Sequence, residues 1–336
     1  MLRSFNWKLW LGLFISALFS YLALRQVDLS KLWHVLQSTK PIPLLFVFLI
    51  TFLQHIIRAW RWQILLEPIK KTTFGHRLSS ILIGFGANCI LPARLGEFIR
   101  AHYLGNSESI SSSSTFGTIV VERLFDAYTL LLVLLIGLMG TIFPPEWRSI
   151  SASLRGMGLL LLIFYSLLIF ILIGFKYKAG PFLNFVDRIL FFIPARLRLR
   201  LIDIIRKFSL GLVLFKNPYS WIQVVFYSWL LWFSHLYQIQ LVEQSLGLTL
   251  PFIASFMILA MASFGVMIPS APGFIGTFHL SVQYGFLFYG IAKEEALSAA
   301  IVWHATFFIP TVLLGLIAFL LLHIPLGKLS ENLSLS

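Results

Sequence analysis

Long apolar runs recur along this chain, and they constrain its fold more than any other feature. Residues 42–60, 117–142 and 296–323 each approach or exceed the roughly 20 residues that an α-helix needs to cross about 30 Å of hydrocarbon. The chain of 336 residues is 58% hydrophobic and 12% charged, with a mean hydropathy of +0.88. Too few polar side chains exist to cover a water-facing globule. We therefore predict an all-α polytopic membrane protein.

About six segments are predicted to span the membrane, and two further apolar segments are each interrupted by a Pro/Gly break. The predicted spanning helices cover residues 7–25, 42–60, 117–142, 156–175, 219–242 and 296–323. We interpret the interrupted segments, about 78–104 and 252–288, as re-entrant helical hairpins. Because the arms of 252–288 are long for re-entrant helices, a pair of spanning helices is the alternative there. No clear cleavage signal follows the first run, so we expect a retained helix.

Basic loops set the predicted orientation. Residues 58–77 carry five Lys or Arg against one Glu, and residues 176–218 carry nine against two Asp. The positive-inside rule places both loops in the cytoplasm, with the nearly neutral loops at 144–155 and 243–251 on the opposite side. We expect an inner-membrane protein with both termini cytoplasmic. The formal net charge of +13 then indicates basic residues that lie beside anionic lipid, rather than a surface that binds nucleic acid.

Given this predicted orientation, residues 42–142 and residues 219–323 each contain a helix, a hairpin and a helix. The two triplets cross the membrane in opposite directions. Such inverted repeats are common in secondary transporters, whose substrate site lies at interrupted helices near the membrane midplane. The basic connection at 176–218 is either an amphipathic segment on the inner leaflet or a solvated linker that sets topology. We predict a single transmembrane domain over residues 1–336.

Candidate site residues cluster at the first break. They are Asn88, Pro92, Arg94, Gly96, Glu97 and Arg100. Arg94, Glu97 and Arg100 recur every three residues, so they occupy neighbouring positions of one short helix. The exposed N–H groups and dipole at the start of that helix favour an anionic ligand. An arginine beside such a start predicts a phosphate site.

A second charged group lies on the helix that follows. Glu122 and Asp126 share one face of the predicted helix, and Arg123 can pair with Asp126. Charged groups at membrane depth are costly and mark functional sites by default. The alternative is that the two charged groups neutralise each other and hold the hairpin against this helix.

The second break carries hardly any charge. Its candidate residues are Pro269, Ser270, Pro272 and Gly273, with His304 on the following helix. A lone histidine inside a membrane protein either forms a helix–helix hydrogen bond or relays protons. Arg58 and Arg61 are predicted to lie near the headgroups, at the cytoplasmic end of their helix. Metal-ligand and enzyme motifs are absent from the sequence, so we expect no metal, no cofactor and no catalytic residue.

Four motifs stand out together. They are N-x-x-L-P-A-R-x-G-E-x-x-R from Asn88 to Arg100, V-E-R-x-x-D from Val121 to Asp126, R-A-x-R-W from Arg58 to Trp62, and P-x-x-P-G-x-x-G from Pro269 to Gly276. This combination resembles the lysylphosphatidylglycerol synthase transmembrane region family, which includes the flippase half of the multiple peptide resistance factor. The resemblance covers nearly the whole chain. It implies a flippase-like domain with the matched charged residues near the translocation path.

The resemblance does not extend to synthesis, because the chain has no counterpart of the family's aminoacyl-transferase domain. We expect a lipid flippase or lipid-linked transporter for a phospholipid or polyprenyl-phosphate-type lipid. Arg94 and Arg123 would hold the phosphate, while Glu97 and Glu122 would gate it or bind a proton. The alternatives are an accessory protein that binds a lipid-modifying transferase and moves nothing, or a membrane-embedded lipid transferase. The expected partners are membrane lipids with an anionic or lipid-linked headgroup.

Overall fold

The computed structural model describes residues 7–91, 94–143, 148–189 and 218–321, with isolated positions at 145, 194, 197–199, 201–204 and 206. All regular structure in these ranges is helical. The helices are α1 (Trp7–Leu24), α2 (Leu29–Gln37), α3 (Pro41–Leu66), α4 (Phe74–Ile90), α5 (Gly96–Ser107), α6 (Ser112–Gly140), α7 (Arg148–Ile189), α8 (Pro218–Leu246), α9 (Phe252–Met267), α10 (Thr277–Leu287) and α11 (Lys293–Leu321). The predicted all-α polytopic membrane protein is confirmed.

Three helical segments in the described ranges are long and apolar enough to cross a membrane. They are Pro41–Leu66, Ser149–Ile169 and Lys293–Leu321. The pair Trp10–Leu24 and Leu29–Gln37 satisfies the same requirement together, but it is bent by 87°. Large apolar side chains remain exposed along these helices, as expected for surfaces that face lipid.

Both predicted breaks separate pairs of short helices. The first lies between α4 and α5, and the second lies between α9 and α10 around a single 3₁₀ turn at Pro272–Phe274. Pro92, on which the first prediction rested, lies outside the described residues. Whether either hairpin is re-entrant stays a prediction.

Helix α2 and the bounds of α3 and α7 differ from the sequence prediction. Helix α2 was not predicted; Asp28 caps it, accepting hydrogen bonds from the amides of Ser30 and Lys31 at 2.9 and 3.2 Å. Helix α7 begins before and ends after the predicted 156–175, so the first part of the basic connection is helical. Much of the remaining connection lies outside the described residues.

The helices of the two halves pack in a matching pattern. Helix α3 packs along α8, α4 packs along α11, and α6 packs along α9. Exchanging α3 with α8, α4 with α9, and α6 with α11 reproduces these same contacts. Within each half, the second hairpin arm packs on the following helix: α5 on α6, and α10 on α11. The first hairpin arm of each half thus contacts the last helix of the other half.

Candidate functional site

Six charged side chains meet where α3, α5 and α6 pack together, and we call them the charged cluster. They are Arg61 on α3, Glu97 and Arg100 on α5, and Glu122, Arg123 and Asp126 on α6. The structure therefore brings the two predicted charged groups together and adds Arg61 to them. Three guanidinium groups face three carboxylates, so the cluster is balanced in charge.

Glu122 lies at the centre of the cluster. Its side chain is fully buried, with Oε2 2.6 Å from Nη2 of Arg100. Its Oε1 lies 2.7 Å from Nη2 of Arg123 and 3.3 Å from Nη2 of Arg61. A buried charge is tolerated when opposite charges and hydrogen bonds surround it in this way. Glu122 on α6 therefore forms ion pairs with both α3 and α5.

Arg61 is fully buried, so it is not the surface residue that the sequence predicted, and its depth relative to the headgroups stays a prediction. Its Nη1 lies 2.6 Å from Oδ1 of Asp126 and donates a hydrogen bond to Oγ of Ser228 at 3.0 Å. The physical reason is that α3 continues to Leu66, which places Arg61 inside the helix between α6 and α8. Snorkelling requires a helix end, and this arginine is more than a turn away from one.

Arg58 differs from Arg61 in its surroundings. It is half-buried, and its guanidinium carbon lies 4.7 Å from the ring centre of Phe85 on α4. The guanidinium carbon of Arg123 lies 5.8 Å from the same ring centre. No carboxylate of the described residues lies within 4.0 Å of Arg58. This arginine is thus a cation beside the charged cluster without an ion-pair partner there.

The cluster also fastens the first hairpin to α6. Glu97 lies 3.5 Å from Nε of Arg123 and 3.8 Å from Nη1 of Arg100. The guanidinium of Arg100 lies over Trp62 at 3.8 Å, and the indole N–H donates to Oγ1 of Thr118 at 2.9 Å. These contacts fit the alternative that the charges neutralise one another and hold the hairpin in place.

Arg94 lies outside the cluster, at the first break itself. Its side chain is exposed, and its Nη2 donates a hydrogen bond to the carbonyl of Val266 at the end of α9, at 3.2 Å. The 3₁₀ turn at Pro272–Phe274 packs against α4. The two breaks therefore lie side by side. Among the described residues, no carboxylate comes within 4.0 Å of Arg94.

Two further predicted residues shape the first break. A side chain at Gly96 would overlap the carbonyl oxygen of Gly84, so α4 and α5 cross in close contact there. Oδ1 of Asn88 is buried and accepts no hydrogen bond from the described residues. The break thus exposes the donors of Arg94, while the acceptor of Asn88 is buried beneath Gly96.

The second break is held by neutral groups. The carbonyl of Gly273, whose φ is 79°, accepts a hydrogen bond from Nε2 of His304 at 2.8 Å. The amide of Ala271 donates to Oγ of Ser16 on α1 at 2.8 Å, and Oγ of Ser270 accepts from Thr277 at 3.3 Å. His304 therefore makes a helix–helix hydrogen bond and lies apart from the charged cluster. The Pro269 and Pro272 rings contribute no hydrogen-bond donor to this break.

Sequence reasoning missed several residues of this region. Phe85, Ser228 and Val266 contact the arginines, yet nothing in a chain with 33 Phe singles out one phenylalanine. The sequence could have indicated Trp62 as a residue of this region, because Trp62 ends the R-A-x-R-W motif. Among the described residues, no group of three His, Cys, Asp or Glu could hold a metal ion.

Comparison with known proteins matches the sequence of this chain to a family. The family model described as lysylphosphatidylglycerol synthase TM region matches residues 9–315 of the chain, which include the charged cluster and both breaks. A UPF0104 membrane protein of Methanothermobacter thermautotrophicus is 20% identical over 281 residues, covering 81% of this chain and 83% of that protein.

Two other relatives match over shorter segments. A UPF0104 membrane protein of Methanocaldococcus jannaschii is 32% identical over 117 residues, which are 34% of this chain and 35% of that protein. The glycosyltransferase AglD of Haloferax volcanii is 30% identical over 134 residues, which are 39% of this chain and 22% of that protein. The chain thus aligns with about a third of the first relative and about a fifth of the second.

Proposed function

This chain belongs to the lysylphosphatidylglycerol synthase transmembrane region family, and from that membership we propose that it is a lipid flippase or lipid-linked transporter. Its cargo would be a phospholipid or a polyprenyl-phosphate-type lipid, moved between the leaflets of the inner membrane. One observation carries the proposal. Two arginines, Arg58 and Arg94, lie near the adjoining helix breaks with no carboxylate of the described residues within 4.0 Å.

The charge balance favours an anionic headgroup. The charged cluster is internally neutral, so Arg58 and Arg94 leave positive charge beside it. Arg58 and Arg94 each interact electrostatically with Arg123 and also with an acid of the cluster, Arg58 with Asp126 and Arg94 with Glu97, so both arginines lie beside the cluster. Guanidinium groups bind phosphate oxygens with paired hydrogen bonds. A lipid phosphate would therefore find both charge and donors here.

The polar atoms at the break support the same function. Arg94 uses Nη2 on the carbonyl of Val266 and makes no other side-chain hydrogen bond to the described residues, so its remaining N–H groups could bind a ligand. Oδ1 of Asn88 is buried against Gly96, so it would reach a headgroup only if the first hairpin moves. In transporters, interrupted helices supply backbone and side-chain groups to the substrate in this way.

The proposed transport uses two inverted repeats, residues 42–142 and 219–323. The matching packing of the two halves supports this architecture, because exchanging the halves reproduces the helix contacts. In such folds one repeat rocks against the other around a fixed site. The hydrogen bond from Arg94 to Val266 joins the two hairpins and would break or re-form in that motion.

A second candidate function is an accessory protein that binds a lipid-modifying transferase without moving lipid. The match to part of a relative named glycosyltransferase AglD favours it. In this case Arg58 and Arg94 would hold a lipid for the partner enzyme. The two functions share a lipid site and differ in whether the lipid changes leaflet.

The test is a leaflet-resolved assay on the purified protein in vesicles that contain fluorescent phosphatidylglycerol or a fluorescent polyprenyl phosphate. We expect protein-dependent exchange between leaflets, reduced at least tenfold by Arg94→Gln and by Arg58→Gln. Arg25→Gln is the matched control, since Arg25 is exposed at the end of α1. Wild-type exchange in both site variants would overturn the proposal. Binding of the same lipids without exchange would favour the accessory function.

A further inference from the structure

Glu243 is a buried acid at the opposite end of the molecule from the charged cluster. It lies in the last turn of α8 and is 2% exposed. Helices α3 and α8 run antiparallel: Arg61 contacts Ser228 at one end, and the amide of Lys40 donates to the carbonyl of Ser245 at the other. Glu243 therefore lies near the surface that the sequence analysis places outside the cell.

The carboxyl of Glu243 is incompletely hydrogen-bonded. Its Oε2 accepts from Nε2 of Gln240 at 2.9 Å, and the same amide group donates to Oγ of Ser255 on α9 at 2.8 Å. Its Oε1 is buried and makes no hydrogen bond of good geometry with the described residues, although the backbone amide of Leu250 also interacts with the carboxyl and favours its charged form. Glu243 is thus part of a small polar contact that joins α8 to the first arm of the second hairpin.

Within the described ranges, no cation lies within 4.0 Å of Glu243. Lys40 is nearby through its backbone, but its side chain is exposed. Lys293 and Glu294 of α11 contact the connection between α1 and α2 instead, at Gln26 and Asp28.

Of the remaining elements around this end, α7 contributes a cation, Arg155, which donates to the carbonyl of Leu138 on α6 at 2.6 Å. Helix α9, residues 41–50 of α3 and residues 133–140 of α6 have no titratable side chain. On α8 itself the nearest histidine is His235, about two turns away, where it contacts Gln54 and Gln238. The hydroxyl of Tyr289 contacts Thr141. Glu243 is therefore electrostatically isolated.

The contrast with Glu122 is informative. Glu122 is surrounded by three guanidiniums, whereas the described side chains that contact Glu243 are all neutral. An isolated carboxylate costs far more free energy to bury than a neutral carboxylic acid does. The buried Glu243 is stable as the neutral acid and becomes stable as the anion only when water reaches it.

We propose that Glu243 is a proton-binding site that couples transport to proton movement. This inference rests on the proposed transport function and assigns its energy source. Movement of α9 away from α8 would break the contact through Gln240 and Ser255 and admit water. The O–H bond of the acid then breaks, and its proton passes to water on that side. Return of α9 requires reprotonation, so each hairpin position favours one protonation state.

The direct test is infrared difference spectroscopy of the purified protein as the pH is raised. We expect the wild-type protein to lose a carboxylic-acid carbonyl band, and Glu243→Gln to lack this band. Glu67→Gln is the matched control, since Glu67 is exposed at the end of α3. Should Glu243→Gln fold poorly, Gln240→Met keeps the acid and removes a donor to its anion, so the titration midpoint should rise. An unchanged band in Glu243→Gln, or an unchanged midpoint in Gln240→Met, would overturn the site.

The coupling is tested separately in vesicles with an imposed pH gradient. We expect wild-type lipid exchange to respond to the gradient and Glu243→Gln exchange to be insensitive to it. If Glu243→Gln responds as wild type does, the coupling is refuted although the flippase function stands. If wild-type protein shows the infrared band but moves no lipid, the transport proposal and its coupling fail together while the proton-binding site remains.

Discussion

Arg100 and Glu122 form a two-point ion pair buried between α5 and α6. Nη1 of Arg100 lies 3.2 Å from Oε1 of Glu122, and Nη2 lies 2.6 Å from Oε2. The guanidinium also covers Trp62. The planar guanidinium donates two parallel hydrogen bonds to the two carboxylate oxygens, which an ammonium group cannot do. The pair is therefore the main ionic attachment of the first hairpin to the rest of the fold.

We expect Arg100→Ala to lower the free energy of unfolding by roughly 3–5 kcal/mol, because Glu122 then loses its closest partner while remaining buried. Arg100→Lys should recover only part of this loss, since the lysine ammonium cannot donate the two parallel hydrogen bonds. Thermal unfolding in detergent measures both, with the exposed Arg25→Ala as control. Equal melting temperatures for wild type and Arg100→Ala would refute a structural role for the pair.

Close packing of α4 on α11 depends on two glycines. A Cβ at Gly315 would lie 2.7 Å from the carbonyl oxygen of Leu82 and 2.9 Å from Cα of Gly86. Both neighbours are backbone atoms, so the helices must separate to accept even a methyl group. We expect Gly315→Ala to destabilise the protein by about 1–3 kcal/mol in thermal unfolding.

Gly75→Ala is the matched control for that substitution. Gly75 also lies in a helix, but nothing is within 4 Å of a Cβ built there. Since alanine favours helix over glycine by about 1 kcal/mol, this variant should be as stable as wild type or more so. A similar loss of stability in both variants would contradict the packing explanation.

Glu108 predicts a pH dependence of stability. It lies between α5 and α6, accepts a hydrogen bond from the Thr73 amide at 2.8 Å, and lies 2.7 Å from Nδ1 of His76. Burial alone would raise the pKa of this carboxyl, but the contacts with Thr73 and His76 outweigh burial and lower the pKa below the ordinary value of 4.5. The carboxylate form therefore stabilises the folded state.

This stabilisation is fully present above pH 4.5 and is lost as the pH falls through 4.5 towards the lowered pKa. Glu108→Gln should remove that part of the acid-induced loss of stability, because the amide does not titrate. Unfolding measured between about pH 3 and 7 checks the difference between the two proteins. Parallel stability curves for wild type and Glu108→Gln would contradict the assignment.

The breaks were predictable because their signal is local. Each break combines Pro and Gly within an apolar run, and this combination located both hairpins from the sequence, whereas Pro310 alone does not end α11. Residues three apart on one helix also had to be neighbours, as Glu97 and Arg100 are.

Contacts between distant segments had no such local signal. The burial of Arg61 depends on Asp126 and Ser228, which lie 65 and 167 residues away along the chain. Glu243 lies in the last turn of its helix, where an acid is ordinarily solvated, and only the packing of α9 shows that it is buried. Periodicity predicts which face of a helix is apolar but not which helix covers it.

Arg94 offers the sharpest separation of function from stability. Its φ of 54° lies in the left-handed region, where a residue with a Cβ is strained and glycine is not. Arg94→Gly relieves that strain and, among the described residues, removes one side-chain hydrogen bond, to the Val266 carbonyl. We expect the stability of Arg94→Gly to stay within about 1 kcal/mol of wild type, while lipid exchange falls at least tenfold. Thermal unfolding and the leaflet assay on the same preparation measure the two effects. A variant with both properties impaired would show that Arg94 acts by holding the hairpins together, and a variant with normal exchange would remove Arg94 from the site.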